Sequence, residues 1–524
     1  MEKQKITNLS DNNPTFSGQQ MSLSGLNEST HYDYVLRWSN SDLNIMGAPN
    51  KKLERALTYT KKSLDWDPKT HSRKTTFSQE KVYNKTLLNT GGTLVCYQTL
   101  QGLLDRVYKL LTNQGLSCKI EDLRIPLNEK PQLQLMHGFR FDQKELLEKA
   151  LLKQRSGLIA APTRYGKTVL ITNTANAYPN LKTVILAPGV DLLPQLVEAI
   201  KKYCPNRDVK GIFTGSKDRV ESDDITVCSF DSMHKLDKSS YKLVLIDAPH
   251  ASVADSRAPQ LVEFNNALIL GYGATVEGRW QGNDILIEGI IGPILSETTY
   301  KKCVEIGALC PIHVYLLKIP YRPLHYKTRN AAYNAYLFNN KKFHETVGSI
   351  CNDVIPKEWQ TLIFIDNEKE ACALRPFIND GVLAMDKLMK NKVERQKMFA
   401  DLKADKVKRC ICSNIYSTGV TIDNLKCEIN CDDGGGSILS VQKPGRLAEI
   451  KPGKKEGVMI DFLFVPDPAI EDPTSFDLLI NKDSFNRLLV YQNKGYNITI
   501  CDSLEEMKSK ILENNNYLNK SDNN

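Results

Sequence analysis

The chain has 524 residues, too many for one hydrophobic core, and this length suggests about three or four domains. Hydrophobic residues make up 41% of it and charged residues 25%, as in an ordinary soluble globular protein. No apolar run approaches the roughly 18–20 residues of a membrane span, and the N-terminus lacks a signal-peptide core. We therefore expect a cytoplasmic protein with no membrane partner. The net charge of +8 fits a polyanionic partner, but it fits a solvated basic surface as well.

The N-terminal part divides into a tail and a small domain. Residues 1–31 are rich in Asn, Ser and Gln without apolar periodicity, which predicts a disordered tail. Residues 32–128 predict a small α+β accessory domain, with a helix within Leu94–Thr112 and a strand at Leu116–Ile120. Basic residues between Lys51 and Lys74 lie near Trp38 and Trp66, a pattern that suits either a phosphate backbone or a solvated surface.

Residues 129–309 alternate apolar runs with amphipathic segments, which predicts a parallel sheet with helices on both faces. The predicted helices are Thr168–Ala177 and Leu192–Tyr203. The predicted strands are Leu158–Ala160, Thr183–Ala187, Asp224–Cys228, Leu243–Ile246 and Ala267–Leu270.

A second alternating series fills residues 310–475 and predicts a second doubly wound sheet domain of similar size. Its predicted strands are Thr361–Ile365, Gly381–Ala384, Arg409–Cys412, Glu428–Asn430 and Gly457–Asp461. Residues 476–524 predict a C-terminal extension with a helical segment and a mobile polar end from Asn514.

The thirteen cysteines include no Cys-x-x-Cys pair, which indicates reduced thiols in a cytosol-like compartment. Four of them cluster in sequence and deserve comparison with a metal site: Cys410, Cys412, Cys427 and Cys431. Their neighbours alternate as in strands, so we interpret them as core thiols.

The most informative segment runs from Gly157 to Leu170, where an apolar run leads through a turn-rich loop to Gly166-Lys167-Thr168 and a second apolar run. This order of strand, loop and helix predicts a phosphate-binding loop. The backbone N–H groups and the helix N-terminus surround a polyphosphate, Lys167 reaches its outer phosphates, and Thr168 offers a hydroxyl to Mg²⁺. Thr163 and Gly166 belong to the same loop.

An acidic residue directly follows the buried run 241–246. Asp247 ends this run, and parallel strands deliver ligands at their carboxyl ends. Because it follows a phosphate loop, Asp247 is predicted to hold the Mg²⁺ that Thr168 also contacts.

These and further segments, in order, resemble the conserved boxes of superfamily 2 helicases. Asp247-Ala248-Pro249-His250 resembles the Asp-Glu-x-His box, with one substitution. The others are residues 139–143, 186–195, 228–232, 271–275, 362–365, 413–423 and 442–446. Within the superfamily the likeness is nearest to phage UvsW-type branched-DNA helicases. The resemblance covers residues 140–461 and implies two tandem RecA-like domains with ATP between them.

The resemblance also implies roles for individual residues. Gln143 would read adenine, and Gln442 and Arg446 would reach the phosphates from the second lobe. The implied backbone contacts to nucleic acid are Pro188, Ser229 and Thr418, and the implied coupling residues are His250, Ala274, Thr275 and Gly419. An isolated histidine such as His250 is otherwise more often a satisfied interior residue.

Two positions depart from the family pattern. Ala248 stands where the family has a Glu that orients or deprotonates the attacking water, and a methyl group does neither. Glu449 stands where the finger box ends in a second Arg, and a carboxylate there repels phosphate unless Arg395, Lys443 or Lys451 compensates. Three explanations of Ala248 stay open: an engineered trap of the ATP-bound form, a natural enzyme with weak or rerouted catalysis, or a retired enzyme.

The resemblance implies an ATP- and Mg²⁺-dependent DNA helicase or translocase that acts on forked or branched DNA, with hydrolysis weakened or trapped by Ala248. DNA is favoured over RNA as its nucleic acid, and phage replication or recombination proteins are candidate partners in a host cytoplasm. The alternative is a degenerate helicase-fold protein that binds nucleic acid or serves in an assembly. A packaging or nuclease-associated motor is disfavoured, because no clustered carboxylates suggest a two-metal centre.

Overall fold

The computed structural model describes most of the chain between residues 32 and 520. The described residues are 32–67, 72–89, 93–188, 193–212, 221–274, 284–322, 324–365, 367–385, 389, 392–413, 422, 424–432, 444–451, 454–466 and 478–520. The predicted tail 1–31 lies outside them.

The N-terminal region is α+β. Its strands are β1 (Tyr34–Trp38), β2 (Asp42–Gly47), β3 (Thr58–Asp67), β4 (Ser72–Lys81), β5 (Tyr83–Leu87), β6 (Val95–Leu100) and β7 (Cys118–Asp122), and its helices are Lys51–Ala56 and Leu104–Thr112. Five strands form a sheet in the order β5-β6-β2-β1-β7, while β3 and β4 pair as a separate antiparallel hairpin.

The helix predicted within Leu94–Thr112 occupies only the second half of that range. Val95, Cys96, Tyr97 and Thr99 are buried in strand β6, which lies between β2 and β5. The helix begins at Leu104, after the chain has left the sheet. The strand expected at Leu116 begins two residues later, at Cys118.

This region packs on the first large sheet domain, which we call lobe 1. Gly102 lies against the backbone of Glu288, so close that a Cβ would lie 2.0 Å from the Glu288 carbonyl oxygen. Ion pairs also join the two, including Arg155–Asp105 at 3.2 Å and Lys61–Asp255 at 2.8 Å. Trp38 is buried under the guanidinium of Arg124, 3.5 Å from its ring centroid, and therefore serves packing here.

Lobe 1 contains a parallel sheet in the order β10-β11-β9-β12-β13-β8-β14. Its strands are β8 (Gly157–Ala160), β9 (Thr183–Ala187), β10 (Val209–Ile212), β11 (Ile225–Ser229), β12 (Leu243–Asp247), β13 (Leu268–Gly273) and β14 (Ile294–Glu297). Its helices are Gln143–Leu151, Lys167–Ala177, Leu193–Tyr203, Pro249–Ser252, Ala258–Val262, Asp284–Ile291 and Tyr300–Glu305.

Both faces of this sheet are buried. Along β12, Leu243 and Leu245 join one apolar cluster, whereas Val244 and Ile246 join the other. A strand that is covered on both sides has a continuous apolar sequence, and such apolar runs allowed these strands to be predicted.

Lobe 2 repeats the architecture with a parallel sheet in the order β17-β18-β16-β19-β20-β15-β21. Its strands are β15 (Ile312–Tyr321), β16 (Gln360–Phe364), β17 (Gly381–Ala384), β18 (Arg409–Cys412), β19 (Leu425–Asn430), β20 (Gly457–Pro466) and β21 (Asn497–Cys501). Its α-helices are Arg329–Tyr333, Lys341–Ser349, Glu368–Leu374, Lys392–Lys403, Leu479–Lys494 and Leu504–Lys520, and residues 334–338 and 350–354 form π-helical turns. The two lobes are tandem RecA-like α/β domains.

The C-terminal extension is part of this second fold. Strand β21 pairs with β15 at the sheet edge, and the last helix continues to Lys520. The side-chain amide of Asn514 donates a hydrogen bond of 2.7 Å to the Tyr315 hydroxyl, so the end predicted to be mobile from Asn514 is instead fixed on the sheet at that residue.

The cysteine cluster follows the strand pattern. Cys410 and Cys412 are buried in β18, Cys427 is buried in β19, and Cys431 is buried just after it. All thirteen cysteines are free thiols. Among the helices of the described residues, none combines the length and apolar character needed to cross a bilayer.

Candidate active site

Three neighbouring strands bring the phosphate loop and Asp247 to one edge of lobe 1. Strand β13 lies between β8 and β12, with Gly273 opposite Ala160 and Tyr272 opposite Asp247. The loop that follows Ala160 and the carboxylate at the end of β12 therefore both emerge at the carboxyl edge of the sheet, where parallel α/β folds bind ligands.

The phosphate loop is held by Gln143. Its amide Nε2 donates to the Tyr165 carbonyl at 2.5 Å, and its Oε1 accepts from the Arg140 N–H at 2.8 Å. Gly166 caps the following helix with φ of 99°, a conformation that favours glycine, and a Cβ there would lie 2.6 Å from the Gln143 amide nitrogen. Both polar atoms of Gln143 thus bond to the protein backbone, and adenine reading stays a prediction.

Lys167 and Asp247 form the charged floor of the site. Both side chains are half-buried, so solvent reaches them although protein surrounds them closely. Burial lowers the pKa of Lys167, while the Asp247 charge acts in the opposite direction. Burial likewise raises the pKa of Asp247, and the Lys167 charge opposes this. Each charge is therefore stabilised by the other, and their chemistry suits a bound phosphate with a cation.

The residues present fit a magnesium ion carried by phosphates. Thr168 follows Lys167 in the first turn of its helix, and Asp247 supplies a carboxylate at the same edge of the sheet. Mg²⁺ prefers oxygen ligands and is commonly held by one or two protein groups together with substrate phosphates. Among the described residues no group of three or more His, Cys, Asp or Glu side chains could hold a metal by itself.

Ala248 lies directly after Asp247 in a left-handed backbone conformation, with φ of 57°. Its N–H donates to the Tyr272 carbonyl at 3.1 Å, which fixes the turn between β12 and the short helix Pro249–Ser252. A non-glycine residue already occupies this conformation, so a longer side chain at residue 248 adds no new backbone strain.

Lobe 2 contributes the turn Pro444–Arg446, which packs on the phosphate loop. A Cβ on Gly445 would lie 2.8 Å from Cβ of Thr163, so the two lobes touch at this point. Arg446 is 4% exposed. Burial lowers its pKa to about 10, against the attraction of Glu428 and with the repulsion of Arg164.

Two cationic side chains lie beside the Glu449 carboxylate. Its carboxylate lies 3.4 Å from Nζ of Lys451, one of the compensating cations that the sequence suggested. The other oxygen lies 3.6 Å from Nη1 of Arg164, in the phosphate loop of lobe 1. Arg164 was not among the predicted site residues, although the sequence places a bulky cation between Thr163 and Gly166 and an acid at residue 449.

The remaining predicted residues separate into two groups. Pro188 and Ser229 follow or end the adjacent strands β9 and β11, so they lie near one another. The Ser229 side chain is buried and donates to the Ser232 hydroxyl at 2.9 Å. The helix that contains His250 packs on β13, which leads to Ala274. Thr275, Thr418, Gly419 and Gln442 lie outside the described residues.

Several known proteins are similar to parts of this chain. Residues 136–278 match the model of the family described as Type III restriction enzyme, res subunit. Helicase 22 of the Sulfolobus islandicus filamentous virus is 25% identical over 347 residues, 60% of this chain and 62% of that protein. The ATP-dependent helicase IRC3 of Saccharomyces cerevisiae is 23% identical over 336 residues, 58% of this chain and 48% of that protein. The DNA 3'-5' translocase XPB2 of Sulfurisphaera tokodaii is 31% identical over 160 residues, 30% of this chain and 34% of that protein.

This chain is therefore similar to proteins named as helicases and to one named as a DNA translocase. It spans less than two thirds of the length of each of these relatives. A fragment of an HsdR subunit of a type I restriction enzyme from Vibrio vulnificus has the same fold, with a TM-score of 0.51, 16% identity, and coverage of 84% of this chain and 78% of that one. The phage T4 UvsW structure matches over 90% of this chain and 99% of that one, with 15% identity and a TM-score of 0.39.

Proposed function

We propose that this protein is a superfamily 2 enzyme, an ATP-dependent DNA helicase or translocase whose hydrolysis step is weakened by Ala248. The observation that carries the proposal is the charged floor of Lys167 and Asp247 at the carboxyl edge of lobe 1, against which lobe 2 places Arg446. Cations from two domains around one phosphate loop suit the transfer of a phosphoryl group, which requires positioning and charge stabilisation.

Each residue has a separate task in this proposal. Lys167 binds the outer phosphates, and Thr168 and Asp247 hold the Mg²⁺ that neutralises them. Gln143 holds the phosphate loop in place and also contacts the adenine base of ATP. Arg446, with Gln442, stabilises charge on the phosphoryl group from lobe 2. Bound Mg²⁺·ATP supplies the leaving group and the free energy for lobe movement.

Ala248 limits the chemistry without preventing binding. Its methyl group cannot accept a proton from water or hold that water by a hydrogen bond. General-base or water-positioning groups contribute about 10²–10⁴-fold in rate. ATP would therefore bind and close the lobes while turnover stays slow.

The nucleic acid would cross the lobes along the loops after β9 and β11, near Pro188 and Ser229, and then the segment with Thr418. Contacts to the backbone alone predict weak sequence preference and a strong dependence on salt. DNA is favoured because one relative is named a DNA translocase. Forked or branched DNA, phage recombination proteins as partners and a host cytoplasm are inferred from the resemblance to UvsW-type helicases.

A second candidate function is a helicase-fold protein that clamps nucleic acid or supports an assembly without turnover. Ala248 and Glu449 favour it, since one removes the water-orienting group and the other replaces a cation. It predicts nucleic-acid binding that does not depend on nucleotide.

The deciding experiment compares ATP hydrolysis by the chain, Ala248→Glu and Ala248→Gln, each with and without forked DNA. Gln matches Glu in size but cannot act as a base. We expect Glu to raise DNA-stimulated turnover by about 10²-fold or more and Gln to stay near the starting rate. If none of the three proteins hydrolyses ATP while DNA still binds, the second candidate function, nucleic-acid binding without turnover, replaces the first.

A further inference from the structure

Strands β3 and β4 form a two-stranded hairpin that is separate from the five-stranded sheet of the N-terminal region. Ten residues of each strand pair, from Thr58 with Lys81 at the base to Asp67 with Ser72 near the turn. A two-stranded hairpin gains little stability by itself in water. Its two faces therefore have to be considered by what each of them contacts.

One face of the hairpin, which we call the inner face, meets lobe 1. Tyr59 packs against the apolar cluster that the N-terminal region shares with lobe 1, and Nζ of Lys61 lies 2.8 Å from the Asp255 carboxylate. Successive residues of a strand alternate between its faces. The positions of the inner face are Tyr59, Lys61, Ser63, Asp65, Asp67, Ser72, Lys74, Thr76, Ser78 and Glu80, which include all three acids of the two strands.

The opposite face, which we call the outer face, combines cations and aromatic residues. Phe77 is 65% exposed and lies opposite Lys62 in the strand register. Thr60 and Gln79 are exposed at the next pair of this face. Within the described strands the positions of the outer face, none of them acidic, are Thr58, Thr60, Lys62, Leu64, Trp66, Arg73, Thr75, Phe77, Gln79 and Lys81. Charge is thus segregated, and the outer face is positive throughout.

The hairpin lies beside the path proposed above for the nucleic acid. Lys61 joins its inner face to Asp255 of lobe 1. Arg257, in the same segment, donates to the Asp231 carboxylate at 2.7 Å. Asp231 closely follows Ser229, the last residue of β11. A strand that leaves lobe 1 near Ser229 therefore comes next to the base of the hairpin.

We propose that the outer face of this hairpin binds single-stranded DNA. Lys62 and the other cations of the face contact phosphates, and the Phe77 ring stacks on a base. A positive surface with an exposed aromatic ring is how proteins hold single strands without sequence preference. Unpaired bases are favoured, because the faces of paired bases are covered by their neighbours in a duplex. The inference goes beyond the proposed function, from which it takes only that the nucleic acid is DNA.

The test is fluorescence anisotropy of the full chain with a labelled oligothymidylate and, separately, with a blunt-ended duplex. The outer-face variants are Phe77→Ser and Lys62→Gln. Leu87→Ser is the matched control for the ring, since Leu87 is 64% exposed on β5 of the same region. Lys342→Gln removes an exposed cation of lobe 2 and controls for the loss of one positive charge. Thermal unfolding followed by circular dichroism verifies that each variant is folded.

We expect Phe77→Ser to weaken oligothymidylate binding about fivefold or more, with duplex affinity changed by less than about twofold. Lys62→Gln should also weaken oligothymidylate binding, and it should reduce the slope of log affinity against log salt concentration by about 0.7. Leu87→Ser and Lys342→Gln should bind both DNAs as the parent chain does.

Unchanged oligothymidylate binding in both outer-face variants would overturn the inference and leave the proposed function intact. Equal losses of single-strand and duplex binding in Phe77→Ser would overturn it as well, because the face would then not select unpaired bases. A parent chain that binds neither DNA would overturn the proposed function together with this inference.

Discussion

Two clusters of charged side chains, one in each lobe, differ in how many of their hydrogen bonds are made within the protein. In lobe 2, Asp461 is fully buried and accepts hydrogen bonds from Arg487 at 2.8 and 2.9 Å and from Tyr491 at 2.7 Å. In the cleft of lobe 1, Lys167 and Asp247 are half-buried, and the only hydrogen bond described for the Lys167 ammonium is a long one of 3.4 Å to the Pro162 carbonyl.

This difference separates a structural cluster from a binding cluster. Burial alone would lower the pKa of Arg487, but the Asp461 charge raises it above its usual range, so the guanidinium stays charged. In the cleft the opposite occurs, because burial dominates and the pKa of Lys167 falls. Charges that remain incompletely satisfied in a cleft are the ones that gain most from a ligand.

The largest effect is expected from a substitution that disrupts the Asp461 cluster of lobe 2. Arg487→Leu leaves Asp461 buried without its cation and should lower the free energy of unfolding by about 3–5 kcal/mol. Arg106→Leu is the control, since it removes the exposed pair with Glu288 and should cost about 1 kcal/mol or less. Urea denaturation measures both, and equal losses would mean that the Asp461 cluster is not the structural element described.

A smaller effect concerns the contact between the lobes. Gly445→Ala places a methyl group 2.8 Å from Cβ of Thr163, so the turn with Arg446 must shift. Such overpacking costs about 1–3 kcal/mol, which we expect to appear as weaker ATP binding and not as a less stable lobe. Titration and denaturation of the same variant separate these outcomes; unchanged ATP affinity would place the lobe contact outside the binding site.

The smallest effect depends on pH. Burial would raise the pKa of Asp142, but the ion pair with Lys302 at 2.6 Å and the Tyr165 hydroxyl bring it below its ordinary value. A lowered folded-state pKa means stability that is present above the unfolded pKa and lost as the pH falls through the folded value. Lys302→Ala should therefore lower the unfolding midpoint slightly at pH 7, and the difference should vanish in acid. A difference that persists at pH 2 would point to lost packing.

Much of the fold was predictable because buried parallel strands are apolar throughout. Gly381–Ala384 and Arg409–Cys412 have the predicted bounds, and β9 does as well. The edge strands β10, β14 and β21 were missed, whereas the edge strand β17 was predicted. Strand β21 reads Asn497-Ile498-Thr499-Ile500-Cys501 inside a polar extension, and its pairing with β15 depends on chain that is distant in sequence.

Local order within the active site was predictable, but its contacts across the lobes were not. The spacing from Gly157 to Thr168 indicated strand, loop and helix because each element is encoded by neighbouring residues. The pairing of Arg164 with Glu449 joins residues 285 positions apart by sequence number, and only the folded lobes bring them together. Of these two residues, only Glu449 stood out in the sequence, as a departure from the family pattern.

The most direct measurement is the affinity of Mg²⁺·ATP for the full chain and for Lys167→Ala, with Arg487→Lys as a variant of the other cluster. If the cleft is the nucleotide site, Lys167→Ala weakens binding by about 100-fold while the folded fraction of Arg487→Lys binds as before. Equal ATP affinity in the chain and in Lys167→Ala would contradict the assignment of the cleft as a nucleotide site.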